Sequence, residues 1–164
     1  MLQHASQIST DFLNKLLRDA NNQGLIACTD VLIVNQNKEI FIQKRSPTRK
    51  LYPNCCEVPG GHVENGESIL KTLTREIKEE ISMDLIQILD FVDYFDWQNN
   101  EGHKYRNFQF LGKASGTPSL EKDKTTEFKW IKKGQESIML ENRQPGDDKH
   151  CKIMKRAFKM LKRL

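Results

Sequence analysis

The sequence predicts a single α/β domain in which helices cover both faces of a mixed β-sheet. Its elements read in the order helix, strands, helix, strands, helix, which is typical of a sheet covered on both sides. The chain has 164 residues, a usual size for one domain. No internal repeat, low-complexity segment or linker divides it, so we expect residues 1–164 to fold as one unit.

The composition excludes several function classes. The formal net charge of +4 is mild, which suits a small anionic ligand and gives no reason to expect nucleic acid as a partner. The N-terminal stretch MLQHASQIST has neither the basic start nor the apolar run of a signal peptide. No stretch approaches the roughly 18 apolar residues that span a bilayer. We expect a soluble cytoplasmic protein without a membrane partner, and the sequence leaves its oligomeric state open.

The first half of the chain predicts one helix and several short strands. Ser9 can cap a helix over about residues 9–22 that carries apolar side chains on one side. The stretch VLIVNQNKEIFIQKR resembles two strands joined as a hairpin at residues 35–38. CCEVPGG predicts a short strand that ends in a tight turn at Gly60 and Gly61.

The second half contains the most regular helical pattern. Residues 68–81 place apolar side chains at every fourth position, which predicts a helix with one buried face. LIQILDFVDYFDW and KYRNFQFLGKAS predict two long strands joined through QNNEGH, and FKWI predicts a shorter one. A helix over about residues 148–163 has inward apolar positions, and its cations are expected to form a solvated outer face.

The four cysteines do not indicate a metal site. Cys28, Cys55, Cys56 and Cys151 follow no zinc-ligand spacing. We expect reduced thiols, at least one of them packed in the core.

The helix over residues 68–81 also carries an unusual group of acids. Glu76, Glu79 and Glu80 lie at spacings of three and four, so like charges repel along one side of the helix. A helical wheel places Glu80 beside the apolar stripe and Glu76 at its edge. A half-buried carboxylate needs a partner or takes up a proton, and a hard divalent cation would serve all three. The alternative is a solvated acidic face paired with Arg75 and Lys78.

The residues from Gly61 to Met83 resemble the Nudix box, G-x5-E-x7-R-E-U-x-E-E-x-G-U, in which U is a bulky aliphatic residue. The fixed positions match at Gly61, Glu67, Arg75, Glu76, Glu79 and Glu80. The pattern is broken at Ser82, which stands where the family has a second glycine. That position ends the helix, so Ser82 removes no metal ligand but can reshape the helix end.

The resemblance implies a fold, a reaction and a set of site residues. The fold is an α/β/α sandwich, and the reaction is hydrolysis of a nucleoside diphosphate linked to another group. Mg²⁺, with Mn²⁺ as a substitute, would be held by the three glutamates and by the carbonyl of Gly60. Glu76 or Glu79 would act as general base, with the choice left open. Arg75 belongs to this catalytic set, where it would orient a glutamate, and Glu67 would support the metal ligands.

Residues outside the box are weaker candidates. Arg45 ends a strand and suits forked contacts to phosphate. Some relatives use a further downstream glutamate, for which Glu127 is the candidate, with Glu121 as its neighbour. Six aromatic residues offer stacking faces for a base: Tyr52, Phe91, Tyr94, Phe95, Trp97 and Trp130.

The substrate stays open within the family. A nucleoside triphosphate or a damaged nucleotide, cleaved to monophosphate and pyrophosphate, is the leading expectation. The alternatives are a nucleotide sugar or a dinucleoside polyphosphate. An isoprenoid diphosphate isomerase, suggested by the Cys55–Cys56 pair, and a non-catalytic binder of nucleotide or RNA are remoter alternatives.

Overall fold

A computed structural model describes residues 8–164 of the chain. Its helices are α1 (Thr10–Asn22), α2 (Ile69–Ile81) and α3 (Lys149–Met160), with a 3₁₀ helix at Glu136–Leu140. Its strands are β1 (Ile26–Ile33), β2 (Ile40–Arg45), β3 (Cys56–Glu57), β4 (Gly60–His62), β5 (Asp84–Gln98), β6 (Lys104–Ser115) and β7 (Thr125–Ile131). Residues 1–7 lie outside the described residues. They hold most of the N-terminal stretch MLQHASQIST, for which the sequence predicts no signal peptide.

The strands form two sheets. A four-stranded mixed sheet has the order β4-β1-β6-β5, in which β1 and β6 are parallel. A three-stranded antiparallel sheet has the order β3-β2-β7. Side chains of α1 and α2 pack in one hydrophobic cluster and those of α3 in another. The predicted α/β fold with helices on both sides is therefore confirmed.

The predicted hairpin between β1 and β2 is wrong in its extent. The two strands pair beside the turn, through a hydrogen bond from the Asn35 amide to the Glu39 carbonyl and an antiparallel bridge between Val34 and Ile40. Beyond it they separate into different sheets, because β1 pairs in parallel with β6 along its whole length. Parallel pairing requires a long crossover and leaves no local sequence signal.

The helices begin and end as their sequences indicate. The Oγ atom of Ser9 accepts a hydrogen bond from the Phe12 amide, at 3.2 Å, and Ser68 caps α2 in the same way. The predicted stripe of α2 is buried at Ile69, Leu73, Ile77 and Ile81. The inward positions of α3, Met154, Ala157, Phe158 and Leu161, are buried as well. Ser82 caps the end of α2 in the left-handed conformation, with φ of 58°.

All four cysteines are free and buried, as the sequence indicates. None of the helices within residues 8–164 is long and apolar enough to cross a bilayer.

Candidate active site

A cavity of about 480 Å³ opens between the last turns of α2, strands β1 and β4, and the first turn of α3. Its wall is rich in charge of both signs. The acidic residues on it are Asp30, Glu57, Glu64, Glu76, Glu79, Glu80 and Glu121, and the basic ones are Arg45, Arg49, Lys124, Arg143 and Lys149. The three glutamates predicted as metal ligands are therefore brought together in one cleft.

Two glycines allow this wall to pack closely. Gly60 and Gly61 form part of β4, which pairs with β1, so the predicted tight turn at this place is wrong. A Cβ atom on Gly60 would meet the backbone of Thr29 and the side chain of Asp30. One on Gly61 would meet the carboxylate of Glu76. Glycine is needed at both positions because a side chain there would overlap with backbone atoms or with an acidic side chain.

Glu80 is the most deeply placed of the three glutamates. Its Oε2 atom accepts hydrogen bonds from the Gly60 amide, at 3.0 Å, and from the Gln43 side chain, at 3.4 Å. Burial, reinforced by the charge of Glu57, raises the pKa of Glu80 well above its ordinary value. No Lys, Arg or His within residues 8–164 pairs with it. The arrangement therefore leaves a buried carboxylate without a compensating cation.

Arg75 holds three glutamates, one before α2 and two in its second half, in a fixed network. Its guanidinium donates two hydrogen bonds of 3.0 Å to the two oxygens of Glu67, whose side chain is only 7% exposed. It also contacts Oε1 of Glu76 at 2.8 Å and Oε2 of Glu79 at 3.4 Å. The hydrogen bonds from Arg75 hold the pKa of Glu67 at about 2. Arg75 thus orients Glu76 and Glu79, and Glu67 in turn orients Arg75.

Glu76 and Glu79 differ in their surroundings. The side chain of Glu76 is 14% exposed and that of Glu79 is 57% exposed. Burial raises the pKa of Glu76, although the ion pair with Arg75 opposes the shift. The Oε2 atom of Glu76 has no hydrogen-bond partner in the part of the chain that the structure describes.

Asp30 is a site residue that the sequence reading missed. It lies on β1 directly opposite Gly60, and its Oδ2 atom accepts hydrogen bonds from Asn107 at 2.9 Å and Gln109 at 2.7 Å. Burial raises its pKa to about 7, although these hydrogen bonds oppose the shift. The signal was present, because a lone Asp interrupts the apolar run of a buried strand and needs a partner or a function.

Some of the candidates outside the box line the cavity and others do not. Arg45 lines the cavity and pairs with Glu57 at 2.9 Å. Glu127 lies on β7, away from the cavity, where it is 52% exposed and faces Lys44 at 3.7 Å. Glu121 does line the cavity, and its amide donates to the carbonyl of Glu80 at 2.8 Å. Of the two downstream glutamates, the structure brings Glu121 to the site.

Aromatic side chains also line the cavity. Tyr52, Phe95 and Trp97 line the cavity, whereas Phe91 and Trp130 pack against the core and Tyr94 lies under the Arg106 guanidinium. His150, on α3, meets Phe95 edge to face with ring centroids 5.1 Å apart. Burial lowers the pKa of His150 to about 3, so its ring is neutral. No short sequence pattern marks these aromatic residues and His150, because they come from distant segments.

Comparison with known proteins identifies the family. A family model described as NUDIX domain matches residues 25–152. The chain belongs to the NUDIX family. The resemblance carried by Gly61, Glu67, Arg75, Glu76, Glu79 and Glu80 is thereby confirmed.

Two curated Nudix relatives and one solved structure illustrate the range of similarity. The m7GpppN-mRNA hydrolase NUDT17 of Xenopus laevis is 33% identical over 73 residues, which is 44% of this chain and 25% of that protein. The 8-oxo-dGTP diphosphatase of Escherichia coli K12 is 38% identical over 52 residues, or 32% of this chain and 40% of that one. The MutT protein of Methanosarcina mazei has the same fold, with a TM-score of 0.66 and 20% identity over 85% of this chain and 94% of that one. The chain spans between a quarter and a half of the length of the first curated relatives that it matches.

The donor set of this Nudix site suits a hard divalent cation. Within residues 8–164, no three His, Cys, Asp or Glu side chains converge as a preformed metal cluster. Mg²⁺ needs no such cluster, since it binds through one or two carboxylates and completes its shell with waters and substrate phosphates. Among the described residues, Glu80 pairs with no cation and the Oε2 atom of Glu76 accepts no hydrogen bond, so both supply oxygen donors of this kind.

Proposed function

We propose that the protein is a Mg²⁺-dependent Nudix hydrolase that cleaves a phosphoanhydride bond in a nucleoside diphosphate derivative. The leading substrate is a nucleoside triphosphate or a damaged form of it. One water molecule is consumed, and a nucleoside monophosphate and pyrophosphate are formed. The observation that carries the proposal is Glu80, a buried carboxylate in a cavity that arginines also line, which pairs with no cation within residues 8–164.

Each part of the cavity suits one part of such a substrate. Bound Mg²⁺ would neutralise phosphate charge and lower the pKa of a bound water. Glu80, Glu76, Glu79 and the Gly60 carbonyl are its proposed ligands, and Mn²⁺ is its proposed substitute. Arg45 ends β2 at the cavity and can exchange its contact with Glu57 for a substrate phosphate. Phe95 and Trp97 also line the cavity, and their flat apolar surfaces can stack on a base.

Glu76 and Glu79 are the two proposed general bases. Glu76 is held by Arg75, and its raised pKa favours proton acceptance nearer to neutral pH. Glu79 is more open to the solvent from which water enters. Separate pH–rate profiles of Glu76→Gln and Glu79→Gln distinguish them, because loss of the base removes the acidic limb of the profile while loss of a metal ligand preserves it.

The names of the relatives support the reaction class and leave the substrate to experiment. They include an mRNA hydrolase, an 8-oxo-dGTP diphosphatase and an RNA pyrophosphohydrolase of Campylobacter jejuni. A panel of nucleoside triphosphates, oxidised nucleotides, nucleotide sugars and dinucleoside polyphosphates, assayed for phosphate and pyrophosphate release, tests the proposal. We expect activity with Mg²⁺ and none in excess EDTA. Full hydrolysis in EDTA would overturn the metal assignment, and inactivity on the entire panel would overturn the reaction class.

The isomerase alternative requires a thiol at the site, and the geometry does not favour it. Cys55 and Cys56 are buried and do not line the cavity, and the Cys55 thiol donates to the Asn142 carbonyl at 3.3 Å. Burial raises the pKa of both thiols, which keeps them protonated. We expect Cys55→Ser and Cys56→Ser to retain turnover within a few-fold. A loss of several orders of magnitude with the fold intact would revive the isomerase.

A further inference from the structure

Strand β7 leaves one edge of the three-stranded sheet open. It pairs with β2 on one side, and no strand within residues 8–164 pairs with its other side. The four residues 126–129, in the middle of β7, are all exposed. An open edge of this kind presents backbone amide and carbonyl groups that can pair with a strand of another chain.

The long edge strand of the other sheet is protected against pairing with its own copy. β5, at the edge of the four-stranded sheet, carries no Lys or Arg but four aspartates: Asp84, Asp90, Asp93 and Asp96. Two copies of β5 side by side would bring acidic side chains together, and charged edges of this kind prevent association. β7 differs, because the charges in its middle have opposite signs.

The side chains of β7 are complementary to those of a second copy of the same strand. Glu127 and Lys129 project from one face of β7 and Phe128 from the other, because side chains alternate along a strand. When two copies pair antiparallel about Phe128, Glu127 of each lies directly opposite Lys129 of the other, and the two Phe128 rings meet on the opposite face. Phe128 is 39% exposed although it stacks on Phe41, so this pairing would cover an exposed aromatic ring.

The neighbouring registers do not have this complementarity. A shift of two residues keeps each side chain on its own face, but it places either Glu127 opposite Glu127 or Lys129 opposite Lys129. Like charges directly opposite each other are destabilising. Charge therefore favours the register that is centred on Phe128.

We propose that the protein forms a symmetric homodimer in which β7 pairs antiparallel with β7 of a second copy, so that two three-stranded sheets join into one of six strands. A two-fold axis at Phe128 closes the interface, so association stops at two copies. A bulge in the pairing of β7 with β2, beside Glu127, keeps the regular stretch short. Because the interface is smaller than the roughly 800 Å² per partner of a stable complex, the dimer should form at about 10–100 µM protein. It does not depend on the proposed reaction, since Glu127 lies away from the catalytic cavity.

The test reverses one charge of the interface at a time. Glu127→Lys and Lys129→Glu each place like charges opposite each other in a homodimer, whereas a mixture of the two variants restores both ion pairs in a heterodimer. The matched controls are Glu101→Lys and Lys71→Glu, at exposed positions in the β5–β6 turn and on α2. Sedimentation velocity between about 1 and 500 µM measures the dimer, and circular dichroism verifies that each variant is folded.

We expect each charge reversal at β7 to weaken the dimer at least about tenfold, and the equimolar mixture to dimerise as the wild type does. The two control variants should also dimerise as the wild type does. A wild type that stays monomeric over the whole range would overturn the proposal. A dimer that neither reversal weakens, or a mixture that stays monomeric, would overturn it as well.

A cysteine at the centre of the interface tests the register. Residue 128 lies opposite its own copy, where the Cα atoms of an antiparallel pair are about 4.5–5.5 Å apart, a separation that a disulfide spans. Under mild oxidation Phe128→Cys should therefore form a disulfide-linked dimer, whereas Lys129→Cys, which lies opposite Glu127, should not. The four native cysteines are buried. Failure of Phe128→Cys to crosslink, or equal crosslinking of both variants, would overturn the proposed pairing.

Discussion

The two ends of α2 hold their carboxylates in opposite ways. Glu67 precedes the first turn, accepts two hydrogen bonds from the Arg75 guanidinium and has a pKa of about 2. In its last turn, Glu80 is more deeply buried, pairs with no cation among the described residues, and has a raised pKa. A compensated carboxylate contributes to stability, whereas an uncompensated one costs stability and is typical of a functional site. The contrast separates the residue that organises the site from the one proposed to bind the metal.

The largest effect is expected for Glu80→Gln. The amide keeps the size of the side chain and can still accept from the Gly60 amide, but it lacks the charge for a metal ion. We expect the Mg²⁺-saturated rate to fall by about 10²–10³, the usual cost of one preorganised electrostatic contact. The metal-free protein should melt at the same temperature or higher, because an uncompensated buried charge is removed.

Glu127→Gln is the matched control for this variant, because it removes the same charge from a glutamate outside the cavity. Its rate should equal that of the wild type. A destabilised but fully active Glu80→Gln would contradict the assignment of Glu80 as a metal ligand and would indicate an ordinary structural ion pair.

Glu67→Gln should have the next largest effect, and it should act mainly on stability. It breaks the fork with Arg75 and leaves that guanidinium partly uncompensated, which should cost about 3 kcal/mol in the free energy of unfolding. Activity should fall by about 10–100-fold, because Arg75 no longer orients Glu76 and Glu79. Urea unfolding and steady-state kinetics measure the two effects. A variant as stable as the wild type at pH 7 would show that the hydrogen bonds between Arg75 and Glu67 contribute nothing to the free energy of unfolding.

The pH dependence of the free energy of unfolding gives a second measure of the interaction between Arg75 and Glu67. The pKa of Glu67 is lower in the folded protein than its ordinary value, so its contribution is complete above pH 4.5 and is lost as the pH falls towards 2. The shift corresponds to about 3 kcal/mol. Glu67→Gln should therefore lose less stability than the wild type over this acidic range.

Asp30, which lies on β1 opposite Gly60, should give stability the opposite pH dependence. Its folded pKa of about 7 exceeds its unfolded value, so the folded state binds the proton more tightly. The metal-free protein should therefore gain about 2 kcal/mol in unfolding free energy as the pH falls from 8 to 5.5. Asp30→Asn should flatten this part of the curve. If the unfolding free energy of the wild type instead falls steadily as the pH is lowered from 8 to 5.5, partners stabilise the charged carboxylate of Asp30 and the prediction is wrong.

The α2 network was predictable from the sequence to a greater extent than the rest of the site. Glu67, Arg75, Glu76, Glu79 and Glu80 lie within one helix and its approach, where spacing along the chain determines spacing in the structure. Asp30 reaches the site only because β1 pairs with β4. His150 reaches it only because α3 packs against β5. Such contacts depend on which strands and helices become neighbours, and no local pattern specifies that.

The smallest predicted effect concerns Ser82, which ends α2 two residues after Glu80. Its φ of 58° lies in the left-handed region, which costs a residue with a Cβ atom about 1–2 kcal/mol. Glycine avoids this strain but gains freedom in the unfolded chain, which offsets about 0.4–1 kcal/mol. Ser82→Gly should therefore stabilise the protein by roughly 0.5–1 kcal/mol in urea unfolding.

Ser82→Ala is the control, because it keeps the Cβ atom and removes only the hydroxyl, which makes no hydrogen bond within residues 8–164. It should not stabilise the protein, and equal stability of the Gly and Ala variants would contradict the strain argument. Turnover separates two roles for this end of the helix. If Ser82→Gly is more stable and equally active, the hydrogen bonds from Gly60 and Gln43 hold Glu80 in place independently of the cap. If turnover falls as stability rises, the strained serine positions Glu80. The strain at this end of α2 then lowers the stability of the protein but maintains the geometry of the site.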